Sequence, residues 1–135
     1  MDEVTETFGF NAGKLWRTLN AEGSLNEKTL EERTQLRSED IFTAVGWLAR
    51  ENKIRQHDMQ FQLGETDLMV PIGKNAGKVW KVLRIWENVG VLFIAQQARI
   101  SISEVQEALG WLGREDKIAS DIIDPALRTL VYRLK

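Results

Sequence analysis

Apolar residues recur along this chain at helical spacing in three successive stretches and then switch to alternation, and the whole series runs twice. Ala12, Leu15, Trp16 and Leu19 fall at i, i+3, i+4 and i+7 and so share one face of a helix, with Asn11 before them as an N-cap. Asn75 stands in the same relation to Ala76, Val79, Trp80 and Leu83. A short second helix is predicted over 26–34 and 91–98, just after a brief extended stretch. The third helix carries Ile41, Ala44, Val45 and Leu48 in the first series and Val105, Ala108, Leu109 and Leu112 in the second. Ser38 and Ser103 stand where it should start, and Ser103 with Gln106 fits a capping box. The period then drops to two: KIRQH is followed by MQFQL, and KIASDII by LVYRL, each pair joined by a turn. Asp124-Pro125 marks the second turn.

The recurrence is a true duplication. NAGKLW at 11–16 returns as NAGKVW at 75–80, and AVGWLARENKI at 44–54 as ALGWLGREDKI at 108–118, both at an offset of 64 residues. Aligning 9–54 with 73–118 gives 15 identities in 46 positions, where ordinary amino-acid usage predicts roughly three. Three helices and a two-stranded wing, twice over, make a mostly helical α+β fold of two tandem winged helix-turn-helix units. The expected division is 1–66 and 67–135, joined through GETDLMVP at 64–71, with the second wing the longer.

These motifs resemble a small prokaryotic winged helix-turn-helix family of unknown function. Its single-domain members look like NAGKVW near the start and ALGWLAREGK at the end of the third helix. The matching residues are Asn11 to Trp16 with Ala44 to Lys53, and Asn75 to Trp80 with Ala108 to Lys117, so the resemblance spans both repeats. Through its fold alone it implies DNA binding.

Composition removes several chemistries. With no cysteine and a single histidine, His57, the 135-residue chain has no thiolate or histidine cluster for a metal and no spare base for a serine triad. No cofactor is expected, no convergent catalytic set can be assembled, and the protein is expected not to be an enzyme. The acidic start MDEVTETFGF lacks the order of a signal peptide, and no apolar run approaches a membrane span, so a soluble cytoplasmic protein is expected. GKNAGKV at 73–79 imitates a phosphate-binding loop, but three residues rather than four separate its glycines and Val79 replaces the magnesium-binding hydroxyl. Trp16 and Trp80 lie on apolar stripes and are expected in the core. Trp47 and Trp111 are expected between the third helix and the wing, and His57 at a solvent-facing turn. Gly46 and Gly110 interrupt both third helices on the outward face, at about 1 kcal/mol each relative to alanine. Either another backbone, of nucleic acid or protein, approaches there, or an element of the same unit packs closely.

Charge and surplus hydrophobicity set the two copies apart. Residues 1–70 hold 8 basic and 13 acidic side chains, whereas 71–135 hold 10 and 7, for a whole-chain charge of −2. Any phosphate contacts would have to come from the second copy. The DNA-binding candidates are therefore Lys74, Lys78 and Lys81 on its first helix, Ser103, Gln106 and Arg114 on its third, and Arg128 and Arg133 at its wing. Acidic residues at both third-helix starts, Glu39 and Asp40, then Glu104 and Glu107, weigh against tight binding. The second copy also replaces Thr18, Ala21, Glu22, Lys28 and Thr29 by Val82, Ile85, Trp86, Leu92 and Phe93. Those five are interface candidates, to be covered by the other repeat, a second copy of the chain or a protein partner. Two functions stand open: a DNA-associated, transcription-regulator-like protein, and a protein-interaction scaffold with little or no DNA binding.

Overall fold

The computed structural model describes all 135 residues. In the first repeat α1 (Glu3–Glu22), β1 (Leu25–Asn26), α2 (Glu27–Thr34) and α3 (Ser38–Arg50) precede a wing of β2 (Ile54–His57) and β3 (Gln60–Leu63). The second repeat runs α4 (Met69–Ile85), α5 (Val91–Ala98), α6 (Ile102–Arg114), β4 (Ile118–Asp124) and β5 (Thr129–Leu134). Both wings are antiparallel, and β1 adds to the first to give the order β1-β3-β2. In the second repeat that extra strand shrinks to a bridge between Val89 and Tyr132. The second wing is longer, with an irregularity between Ile122 and Asp124.

The first helix of each repeat starts well before the asparagine expected to cap it. Asp2 is the N-cap of α1, and its carboxylate accepts the Thr5 amide at 2.9 Å. Asn11 is buried inside the helix. In α4 the helix opens at Met69, and Pro71 occupies its first turn, where a missing N–H goes unnoticed. The additional turns exist because each has something to cover. Phe8, on the added part of α1, is buried in the core of the second repeat with Ala76, Leu109 and Leu112. Ile72, on the added part of α4, is buried in the core of the first with Leu15, Val45 and Leu48. The capping box of α6 also differs from expectation: Ser101 and Glu104 form it rather than Ser103 and Gln106. Glu104 sits where its carboxylate reaches back to the Ser101 amide, which the Gln106 side chain two residues further on does not do.

Two of the sequence-based placements shift. Trp16 is 38% exposed at the edge of its stripe. Val82, an interface candidate, is instead buried in its own unit's core, because its side chain points down the inner stripe of α4. His57 is exposed at the wing turn, 3.2 Å from the Asp58 carboxylate.

Candidate interaction surfaces

The most extensive contact between elements joins the two third helices. A methyl group built on Gly46 would run into the Glu107 carbonyl oxygen, and one on Gly110 into the Thr43 carbonyl oxygen. Residues 43 and 107, like 46 and 110, are 64 apart, so the contact is two-fold symmetric in sequence and in space. The backbone for which both glycines make room is therefore the other repeat's third helix, not nucleic acid and not an element of the same unit.

Around this contact the symmetry extends to the charged groups. Arg50 Nε lies 3.2 Å from Glu115, and Arg114 Nε 3.0 Å from Glu51. Each guanidinium also lies over a tryptophan of the opposite repeat, Arg50 over Trp111 and Arg114 over Trp47. The tryptophans rest on glycines of their own first helices: a methyl group on Gly9 would meet Trp47 at 2.7 Å, and one on Gly73 would meet Trp111 at 3.4 Å. They pack between the first helix of their own repeat and the opposing repeat, rather than between the third helix and the wing as expected: Gly9 and Gly73 leave room for the indoles, and each tryptophan packs against both cores. The signal for this arrangement was in the sequence: glycine, tryptophan, arginine and glutamate recur at 9, 47, 50 and 51 and at 73, 111, 114 and 115.

A further tie between repeats had no sequence signal. The Asp2 carboxylate accepts hydrogen bonds from the Ser120 amide at 2.6 Å and the Ser120 hydroxyl at 3.2 Å. Burial works to raise the Asp2 pKa, but the hydrogen bonds from Thr5 and Ser120 outweigh it and hold the carboxyl below its ordinary 3.8. Glu107 is the opposite case. Half-buried beside the α3–α6 contact, it is pushed up to about 7 by desolvation, with a smaller contribution from Glu104.

The DNA-binding candidates do not converge on one surface. Lys74, Lys78 and Lys81 are exposed along α4 and take part in no salt bridge. Arg114 is held in the inter-repeat contact. Ser103 Oγ lies 3.1 Å from Ser101 Oγ at the start of α6. Gln106 and Arg128 line a pocket at the junction of the repeats. Arg133 pairs with Asp121 across the second wing.

Three of the interface candidates, Ile85, Trp86 and Phe93, gather, and Leu92 lies exposed on α5. Ile85 and Leu92 are well exposed, Trp86 is 45% exposed, and Trp86 meets half-buried Phe93 edge-to-face at 5.3 Å. None of them is buried in the first repeat's core. Beside them Val82, Ile85, Trp86 and Ala98 line a groove of about 330 Å³ between α4 and α5, rimmed by Lys78 and Lys81.

The winged helix-turn-helix domain family (DUF2582) matches residues 1–63 and again residues 65–128. The chain belongs to this family, twice over. No curated protein and no solved structure matches it. Winged helix-turn-helix domains point in general to DNA-binding, regulatory-type function, and domains of this kind are typically nonenzymatic. No helix is long and apolar enough to cross a membrane.

Proposed function

We propose that this tandem winged-helix protein is a nonenzymatic, cytoplasmic interaction scaffold rather than a reader of DNA sequence. The observation that carries this is the mutual closure of α3 and α6 through Gly46 and Gly110. A winged helix reads DNA by laying the outer face of its third helix in the major groove. Here that face of each repeat lies against the other. Opening it would break the two arginine–glutamate pairs and expose Thr43 and Glu107, all for a surface whose helix starts are acidic.

The surface available to a partner is the groove of the second repeat. Its floor is apolar and its rim carries the unpaired Lys78 and Lys81. Charge complementarity selects an acidic, amphipathic helix of a protein partner, with its apolar face on Trp86 and its carboxylates toward the lysines. Fully burying a large apolar side chain such as Trp86 is worth roughly 1.5–3 kcal/mol.

The same lysines favour the second reading, nonspecific association with nucleic acid, and salt separates the two. The full chain is titrated with an acidic amphipathic peptide and, separately, with mixed-sequence duplex DNA at about 50 and 200 mM salt. The scaffold reading expects peptide binding that Trp86→Glu abolishes, with no duplex binding at either salt. Duplex binding that falls steeply with salt, is flattened by Lys78→Glu with Lys81→Glu and ignores changes at Lys14 and Arg17 would replace it with the DNA-associated reading.

A further inference from the structure

A pocket of about 250 Å³ opens where the second wing passes over the start of α3. That is the volume of about eight waters, at ~30 Å³ each. Both repeats build it. Phe8 and the α3 residues Glu39 and Asp40 come from the first, and Val91, Arg128, Leu130 and Tyr132 from the second.

Its chemistry is divided. Phe8, Val91 and Leu130 supply an apolar lining. Glu39 and Asp40 bring two carboxylates, which share the single cation Arg37 at 3.3 and 4.0 Å. Arg128, on the wing turn at φ 53°, brings a guanidinium that takes part in no salt bridge. Tyr132 is the informative member. Its residue is only 3% exposed, yet its hydroxyl makes no hydrogen bond with the chain and is not among the sealed-off polar atoms, so it faces the pocket. A phenol buried this deeply ordinarily has a partner.

None of this follows from the duplication. At the 64-residue offset, Glu39 and Asp40 correspond to Ser103 and Glu104, Phe8 to Ile72 and Val91 to Glu27, while Arg128 and Tyr132 fall on the linker. The pocket belongs to the assembled pair and not to the winged-helix unit.

We infer that the junction pocket binds a small zwitterion with an apolar body, of the apolar α-amino-acid type. The ammonium group lies toward Glu39 and Asp40, whose charges reach the Tyr132 hydroxyl, and that hydroxyl accepts from the ammonium; the carboxylate lies toward Arg128. The apolar body covers Phe8, Val91 and Leu130. Occupancy bridges the first repeat's third helix to the second repeat's wing, and so ties the two repeats together.

Calorimetric titration of the full chain with L-leucine tests this, with 3-methylbutylamine and 4-methylpentanoic acid as probes lacking one charge each. The expected result is saturable leucine binding with Kd near ~1 mM, weaker for both single-charge probes. Tyr132→Phe, which keeps the ring and so the packing, should weaken leucine about five-fold, as loss of one hydrogen bond does. Arg128→Ala, on an exposed turn, should weaken leucine but leave the amine unchanged. Absence of leucine binding at ~10 mM, or binding that neither substitution alters, overturns the inference. Equal binding of leucine and the amine overturns the carboxylate assignment and with it the zwitterion.

Discussion

Phe8 and Ile72 stand 64 residues apart at equivalent positions of the two repeats, and each is buried in the core of the other. Neither repeat therefore owns a complete core. A fragment of residues 67–135 would lose the ring of Phe8 and expose Ile72; a fragment of 1–66 suffers the converse. Large-to-small deletions of buried side chains cost ~2–5 kcal/mol, comparable with the whole stability of a 60-to-70-residue unit, ~5 kcal/mol. Each fragment alone should show little cooperative unfolding, and mixing them should restore helical circular dichroism. A fragment that unfolds cooperatively on its own would show that the swapped residues are dispensable.

The same substitution should have one sign at two helical glycines and the opposite sign at a third. Gly46→Ala and Gly110→Ala drive a methyl group into a carbonyl of the opposing helix, and each should cost ~3 kcal/mol or more by overpacking. Gly77→Ala meets nothing within 4 Å and should stabilise by ~0.5–1 kcal/mol through helix propensity. Urea denaturation of the three variants decides the matter, and destabilisation by Gly77→Ala would point to an unrecognised contact on that face.

Glu107 makes stability depend on pH near neutrality. Its folded pKa, about 7, lies above the ordinary 4.5, so between those values the folded state holds more protons than the unfolded one. Stability is then complete below about pH 4.5, declines as pH rises toward 7, and is level above it. Partial solvent access keeps the loss under ~3 kcal/mol. Glu107→Gln should raise the urea midpoint at pH 8 and leave it nearly unchanged at pH 4.5. Asp2 has the opposite sign: its lowered pKa gives stability that is present above about 3.8 and lost as pH falls through the folded value. An equal gain for Glu107→Gln at both pH values would mean that its charge is not the cause.

Trp86→Glu should fold. The residue is 45% exposed, and its first-repeat counterpart is already glutamate. A stability change under ~1.5 kcal/mol is expected, less than the value of a fully buried aromatic. Sedimentation should show the same monomeric species as the parent chain. A dimer in the parent that Trp86→Glu dissociates would assign the patch to a second copy of the chain.

The elements were legible because the duplication presents each pattern twice, and a periodicity seen in both copies is hard to mistake. The helix starts were not. Asn11 has a good capping side chain, yet the turn before it carries Phe8, whose burial in the other repeat outweighs a cap worth ~1 kcal/mol. Gly46 and Gly110 announced a close approach of backbone, but spacing alone does not say whose. The junction pocket was wholly hidden, since Tyr132 and Glu39 lie 93 positions apart and meet only through the crossing of the repeats.

The connection at 64–68 holds the halves in a fixed one-to-one ratio, and this alters what each surface is free to become. When two identical chains pair about a two-fold axis, every change on one side appears on the other, and a residue must suit both roles at once. Within a single chain that constraint lapses. Gly46 and Gly110 still answer to each other at the axis, but away from it one half can gain Trp86 and Phe93 while its twin keeps Glu22 and Thr29. A pair that would otherwise offer every surface in duplicate can thus present one that occurs only once, and engage one partner at a time.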